Sequence, residues 1–282
     1  MPEIKADLHC HTTHSDGSYT PLELVQLAKK IGLNALSITD HDAISAYEEV
    51  AHLPQDEIRL LPGVELSTTF GDTQIHVLGY AFDPKAKVLQ EFCQACRKHR
   101  IERNKEILDR LWDVGIRIEE KDIVKRDDLR TAYGRPHIAK GMMDKGYVTT
   151  IQEAFRKYIG EGKPCYVPGK KYSVEEAIEA IHASSGVAVI AHPHLIYTKK
   201  VLNELLKCQF DGLEAYYCRF DARVDEKWVV LAKDKGLFTT GGSDFHGSTR
   251  PEVKLGCKLA PTEVFLTLWN HFQKVTGSQA CP

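Results

Sequence analysis

Apolar residues along the chain fall into short β-prone runs separated by stretches with helical spacing. The runs predict strands over 4–9 (IKADLH), 34–39 (NALSIT), 58–66 (IRLLPGVEL) and 74–80 (QIHVLGY). After a long interval they resume at 187–192 (VAVIAH), 211–216 (DGLEAY) and 237–242 (LFTTGG). Helical patterns at 21–31, 173–184 and 224–235 separate them. Ser173 stands three positions before Glu176, the spacing of a capping box, and Pro21 suits a first helical turn. Seven strands with intervening helices predict an α/β protein, built as a parallel barrel or as an open doubly wound sheet.

The alternation breaks between about 84 and 170, which reads as a long helix over 85–114 and two or three shorter, charge-rich helices. Residues 1–83 and 171–282 are therefore expected to form the main domain, with 84–170 as an inserted helical subdomain. Inserts of this kind commonly form lids over an active face. No internal repeat or low-complexity segment interrupts the chain.

Composition narrows the class. At 43% hydrophobic and 27% charged, the 282 residues have the balance of an ordinary water-soluble protein. No apolar run approaches the ~20 residues that span a bilayer, and MPEIKADL lacks the profile of a signal peptide. A cytoplasmic address with no membrane partner is expected. A net charge of −2 excludes a broad basic field for coating nucleic acid. Basic residues cluster only locally, in CRKHRIERNK at 96–105 and PGKKY at 168–172. Eight cysteines without a secretory signal predict reduced thiols. Cys93 and Cys96 have CxxC spacing but lie within a helical pattern, so helix packing is the expected role.

The chemistry sits at the strand ends. His9 and His11 finish the first strand, amid Asp7, His14 and Asp16; Asp40 and His41 follow the second. Glu65 ends the third, His76 lies in the fourth, His192 and His194 close the fifth, and Asp244 and His246 follow the seventh. In a parallel barrel the C-terminal strand ends share one face, where active sites are built. Imidazoles and carboxylates suit Zn²⁺, Mn²⁺ and Fe²⁺. An H-x-H at a strand end can direct both rings at one ion if the strand curls or bulges there. Each motif alone is weak; their joint placement predicts a metal centre. So many N/O donors exceed the needs of one ion, and two or three divalent ions are expected. Such a centre can activate water and clamp a phosphoryl oxygen.

DLHCHTTHSDGSYTP, ITDHD, GVELS, IHVLGY, AHPH and GSDFH resemble the successive motifs of the PHP (polymerase and histidinol phosphatase) metallo-phosphoesterases. The likeness is strongest to the branch of nucleoside 3′,5′-bisphosphate phosphatases and 5′-to-3′ exonucleases of short RNAs. It spans nearly the whole chain, including GRPHIAKGMMDKGYV and FRKYIGEGKPCYVP in the insert. The resemblance implies a distorted (β/α)7 barrel with a trinuclear centre. By motif position, His9, His11, Glu65 and Asp244 would hold one ion, and Asp16, His41 and His246 another. A bridging Glu65 with His76 and His192 would hold a third. A metal-bridging hydroxide would attack phosphorus in line. Many relatives have glycine after the HP where this chain has His194, whose role stays open between spare ligand, proton donor and surface residue.

In the insert, Arg100 and Arg103 lie three apart on one helix face. Arg135 and His137 stand in YGRPHIA, and Lys170 and Lys171 follow a Pro-Gly turn. Together they predict a phosphate pocket, because guanidinium forks match phosphate oxygens. The resemblance likewise implies that arginines of RIER and GRPH hold substrate phosphate. The expected substrate is a nucleoside bisphosphate or the 5′ end of a short RNA, with Tyr133 or Tyr166 available to stack on a base. His194 or His137 is the candidate to assist the leaving oxygen. A histidinol-phosphate phosphatase would need no second phosphate pocket, and a non-catalytic PHP module would often have lost ligands. An amidohydrolase would usually build on a lysine at a strand end, and none is seen. Nothing in the sequence calls for a dimer or a stable nucleic-acid scaffold, and a monomer is expected.

Overall fold

A computed structural model describes residues 3–55, 57–123, 133–169 and 172–277. The strands are β1 (Ala6–Cys10), β2 (Ala35–Ile38), β3 (Arg59–Leu60), β4 (Gly63–Phe70), β5 (Thr73–Tyr80), β6 (Val187–Ile190), β7 (Gly212–Tyr217) and β8 (Phe238–Gly242). They form a three-stranded sheet, β1-β2-β3, and a five-stranded sheet, β4-β5-β6-β7-β8. The first sheet is parallel. In the second, β5 runs antiparallel to both β4 and β6, whereas β6, β7 and β8 are parallel.

The α/β class is as expected, but the strand pairing does not show a barrel of seven parallel strands. Two local features account for the difference. The run 58–66, expected as one strand, is split by Leu61 and Pro62 into β3 and β4. Proline has no N–H to donate to a ladder. The β4–β5 connection is a tight hairpin with Gly71 at φ 58°, so these strands pair antiparallel where a parallel sheet was expected. Isolated bridges Cys10↔Phe245 and His41↔Glu65 join β1 to the segment after β8, and the segment after β2 to β4.

By contacts, the chain divides into one unit of residues 1–93 with 171–282 and another of 94–170. The division falls inside the helix Lys87–Asp113, where the expected boundary lay ahead of it. In the first unit, the helix Val174–Ala183 starts with the expected capping box between Ser173 and Glu176. It packs Ile178 and Ile181 with Val64 and Val77 of the hairpin. The helix Pro21–Lys30 has a second capping box, Thr20 with Glu23, and buries Leu24 and Val25 with Leu36 and Ile38. The helix Thr262–Thr276 adds Phe265 and Leu268 against Ala6 and Leu8. Each such side chain, fully buried, contributes roughly 1.5–3 kcal/mol.

The second unit has a core of its own. Ile107 and Leu111 of the long helix meet Ile138 and Met142 of the helix Arg135–Asp144, together with Ala154 and Ile159. Cys93 and Cys96 are buried, as helix packing predicts, and the groups able to hold a metal include neither. Among the described residues, no helix is long and apolar enough to cross a membrane.

The expectation of reduced thiols is corrected at one pair: Cys218 and Cys257 form a disulfide. Cys218 directly follows β7 and Cys257 lies beyond β8, 39 residues away, with Cα atoms 5.8 Å apart. That spacing carries no signal in the sequence; Cys257 belongs to a segment beyond β8 that returns to β1, where the Gly256 amide bonds Asp7 and Ala260 bridges Ala6.

One close approach sets the position of β1. Gly242, at the end of β8, lies against His9, and a Cβ on it would overlap the backbone nitrogen and Cβ of His9. Gly242→Ala is expected to cost about 1–3 kcal/mol through forced backbone displacement. A thermal midpoint several degrees below wild type, read by circular dichroism, is the expected result.

Candidate metal centre

The site is assembled where β1, β2, β4, β5, β6 and β8 end or begin. Between Asp7 and Cys10, β1 gains one residue relative to β2. This bulge lies at the H-x-H motif, where a curl was expected, and both His9 and His11 are fully buried. His76 reaches the site for a reason unlike the others. Because β5 is antiparallel, its first half adjoins the end of β6, and the Ala191 amide donates to the His76 carbonyl (3.2 Å). His76 and His192 thereby come together with ring centroids 5.2 Å apart.

Glu65 is the hub. Its Oε2 lies 3.3 Å from His9 Nε2, 3.1 Å from His11 Nε2 and 3.2 Å from His41 Nδ1. Its Oε1 lies 2.7 Å from His76 Nδ1 and 2.9 Å from His192 Nε2. Asp244 Oδ1 faces His9 Nε2 at 3.5 Å and His11 Nε2 at 3.3 Å. Asp16 Oδ1 faces His246 Nε2 at 3.2 Å and His11 Nδ1 at 3.6 Å, and its Oδ2 is 3.9 Å from His41 Nε2.

Among the described residues, three groups present ligand atoms all within 4.8 Å of one another. They are His9, His11, Glu65 and Asp244; His11, Asp16, His41 and His246; and His41, Glu65 and His76. The first coincides with the expected set for one ion. The second adds His11 to the expected set, and the third has His41 where His192 was expected. His192 stands outside these groups, though bonded to Glu65.

The residues fit a metal. His9 Nε2, His11 Nε2, His41 Nδ1 and His246 Nε2 are buried nitrogens without an aligned hydrogen-bond partner. Such atoms are costly unless something accepts their lone pairs. Mixed imidazole and carboxylate donors suit Zn²⁺, Mn²⁺ or Fe²⁺ better than ions that prefer all-oxygen shells.

Electrostatics point the same way. Burial works to raise the Glu65 carboxyl, but the imidazoles of His41, His76 and His9 outweigh it and hold it well below the usual range. Asp16 and Asp244 are likewise depressed against their burial, chiefly by His246. Burial opposes charge on His11, yet Asp244 and Glu65 raise it to about 9. Burial dominates at His41 and lowers it to about 3. Three buried carboxylates thus create a place for concentrated positive charge.

The backbone is bent to this purpose. His192 and Asp244 have φ of 27° and 56°, and Asp42, next to His41, has 54°. Non-glycine residues rarely adopt such values, and they collect where the surrounding structure enforces them.

Other expected residues hold the frame. Asp40 accepts from Thr12 N (2.8 Å), Thr12 Oγ1 (2.6 Å) and Ser15 Oγ (2.5 Å), tying the loop that carries Asp16. His14 braces the same loop through Ser45 Oγ (2.7 Å) and Glu49 Oε2 (3.1 Å). Asp7 takes amides from Ser243 (2.9 Å) and Gly256 (2.8 Å).

His194 requires correction as a proton donor. Its side chain has no exposed surface and lies among Tyr217, Phe220 and Trp228, with Asp225 Oδ1 3.8 Å away. Burial pushes its pKa down to about 3, helped by His192 and Lys258. It belongs to none of the donor groups.

Three residues were missed. Glu214, fully buried, accepts from His9 Nδ1 and from the His192 amide, both at 2.8 Å. A lone carboxylate inside the apolar run GLEAYY was the available signal. Tyr217 Oη and Arg250 Nη1 donate to Asp244 Oδ2 at 2.8 and 2.6 Å. An ordinary strand tyrosine and a loop arginine carry no such signal.

In the second unit, Arg100 and Arg135 are brought together. Arg100 Nη1 lies over Gly134, and burial, then repulsion from Arg100, lowers the Arg135 pKa against the pull of Tyr166. The Arg135 guanidinium stands 5.4 Å from the Tyr166 ring centroid and 5.7 Å from that of Phe155. Arg103 bonds Asn104 Oδ1 at 3.1 Å and lies against Gly169. His137 Nδ1 accepts from the Gly134 amide (3.1 Å), which leaves the ring proton on Nε2. Tyr133 is buried, with its hydroxyl on Glu120 (3.0 Å), and is a core residue. Lys170 and Lys171 lie outside the described residues.

Glu65 belongs to two donor groups and Asp16 to one. Glu65→Ala is expected to lose most of its metal, whereas Asp16→Ala loses the ion of one group only, as read by elemental analysis of purified protein. Wild-type metal content in Glu65→Ala would remove Glu65 from the centre.

Residues 7–234 match the family model of the PHP domain. The match stops short of Asp244 and His246, which the fold nonetheless returns to the same site. The chain is 32% identical over 282 residues to the 5′-3′ exoribonuclease Rnm of Escherichia coli, covering 96% of this chain and 95% of that protein. It is 32% identical over 246 residues to a 3′,5′-nucleoside bisphosphate phosphatase of Chromobacterium violaceum, covering 85% and 86%. A solved Bifidobacterium adolescentis structure, provisionally classed as a metal-dependent phosphoesterase, superposes with a TM-score of 0.84 at 30% identity, covering 96% of this chain and 97% of that one. With a family match over most of its length and relatives this similar from end to end, the chain belongs to the PHP domain family.

Proposed function

We propose that the chain is a divalent-metal-dependent phosphoesterase acting on nucleoside 3′,5′-bisphosphates or on the 5′ end of short RNAs. The observation that carries the proposal is the convergence of Glu65 with five imidazoles beside Asp16 and Asp244. The overlapping donor groups would hold two or three ions. Bound there, divalent ions lower the pKa of water and neutralise charge on a phosphoryl oxygen.

The chain's own residues do the rest. Glu65, Asp16 and Asp244 confine positive charge to one small volume, so a phosphoryl group is drawn to that point. Arg250 and Tyr217 occupy Asp244 Oδ2, which leaves Oδ1 as the oxygen turned toward His9 and His11. In the second unit, Arg100 and Arg135 would contact a substrate phosphate, whose oxygens suit guanidinium forks. Tyr166, beside Arg135, offers a ring against which a base can lie.

The names of the two relatives favour this substrate class over histidinol phosphate, since each acts on a molecule with more than one phosphate. The test is phosphate or nucleotide release by Mn²⁺-loaded protein from adenosine 3′,5′-bisphosphate, AMP, histidinol phosphate and a 5′-phosphorylated RNA pentamer. The bisphosphate or the pentamer is expected to give the highest kcat/KM; a preference for histidinol phosphate would overturn the assignment. On the preferred substrate, Arg135→Ala is expected to raise KM about 10- to 100-fold with little change in kcat. That is the loss of one charged hydrogen bond made equally in ground and transition states.

A further inference from the structure

We infer that Glu214 is a positioning residue of the metal centre, which fixes the tautomer of His9 and the backbone of His192 from a strand that supplies no ligand. The inference rests on the metal reading above and concerns how the donors are held ready. Glu214 is fully buried in β7, and its two oxygens face two different elements. Oε1 lies 2.8 Å from Nδ1 of His9, on β1. Oε2 lies 2.8 Å from the backbone nitrogen of His192, just past β6.

A carboxylate only accepts, so both partners must be donors. The proton of a neutral His9 ring is therefore on Nδ1, and the Nε2 lone pair points toward Glu65 Oε2 and Asp244 Oδ1, at 3.3 and 3.5 Å. A ligating histidine needs this arrangement, and a carboxylate behind it also raises its basicity. The second bond acts on the backbone. His192 sits at φ 27°, a value that needs outside support. The bond from its amide to Glu214 provides that support at the residue whose Nε2 reaches Glu65 Oε1, at 2.9 Å. One side chain thus ties His9, on one side of Glu65, to His192 on the other. Directly after it, the register of β7 on β8 slips between Glu214 and Tyr216. The slip precedes Tyr217, whose hydroxyl holds Asp244.

The two-donor arrangement makes glutamine the informative substitution. Glutamine has nearly the same shape but offers one accepting oxygen and one NH₂ donor. Whichever way the amide turns, one donor meets another. Turned toward His9, the NH₂ selects the tautomer with the proton on Nε2, which cannot ligate. Turned toward His192, it leaves the strained amide without an acceptor. A residue present only to fill space would tolerate glutamine and suffer from alanine.

The experiment titrates metal-free wild type, Glu214→Gln and Glu214→Ala with Zn²⁺ against a chromophoric chelator, with far-ultraviolet circular dichroism of each. Glu214→Gln is expected to keep the wild-type spectrum yet bind at least one ion about 10- to 100-fold more weakly. Glu214→Ala should be no tighter. Wild-type affinity in Glu214→Gln, with loss confined to Glu214→Ala, would overturn the inference in favour of packing. Wild-type protein that binds no Zn²⁺ would overturn the metal reading, and this inference with it. Because glutamine preserves the volume, the result does not depend on whether the alanine variant folds.

Discussion

The Glu65 carboxylate is 1% exposed and has five imidazoles around it, from His9, His11, His41, His76 and His192. Asp16 lies beside the rings of His11 and His41, and Asp244 beside those of His9 and His11. Withdrawing a carboxylate from water costs several kcal/mol unless opposite charge lies close by. Of the side chains described, Arg250 is the arginine placed against this group, and it reaches Asp244 alone among the three carboxylates. The remaining compensation must come from protons on imidazoles or from cations among them. Buried carboxylate charge is therefore the constraint to which the rest of the site answers: it explains the depressed carboxyls, the raised His11 and the bare nitrogens aimed inward.

Meeting that constraint demands backbone conformations that ordinary strands do not offer. The bulge in β1 and the positive φ values of His192 and Asp244 are three local departures, each at a strand end that carries a donor. They are held by rigid surroundings. The Asp244 amide bonds the His9 carbonyl at 2.7 Å and the His11 amide bonds the Phe245 carbonyl at 2.9 Å, so β1 and the GSDFH loop lock each other. Gly242 is the residue that lets them come that close. Below the site, three apolar clusters anchor the strands. Strain at the centre is tolerable because packing elsewhere supplies the stability.

Most of this was legible in the sequence, and the exceptions share a cause. The donors announced themselves because each sits in a short window of unusual composition at the end of an apolar run. DLHCHTTHSDG and GSDFH needed no tertiary information. The strands were legible for the same reason, since apolar runs bounded by turn residues mark them. Chain direction was not. Nothing in QIHVLGY says that β5 runs against its neighbours, so the reason His76 lies beside His192, the antiparallel pairing of β5 with β6, could not be read from it. His194 misled in the opposite way. It shares the AHPH window with a residue that touches Glu65, but the positive φ of His192 turns the chain, and the ring two positions later enters an aromatic box. Cys218 and Cys257 were illegible because they are 39 residues apart and meet only in the folded chain.

The supporting residues mark the limit of such reading. Glu214, Tyr217 and Arg250 are common residues in common settings, and their importance comes from what their polar atoms meet after folding. There, a simple asymmetry of hydrogen bonding does much of the specification. Carboxylates and backbone carbonyls only accept, so the Nδ1 of His9 and of His246, each placed on one, carries the proton, and the Nε2 of each ring is left without an aligned partner. His9 faces Glu214 in this way; His246 does the same through Nδ1 on the Asp244 carbonyl, at 2.8 Å. In both rings the bare Nε2 is the atom turned toward carboxylates of the centre. The acceptors behind the ring thus decide which nitrogen can ligate, so part of the centre's chemistry is written in residues that never touch a metal.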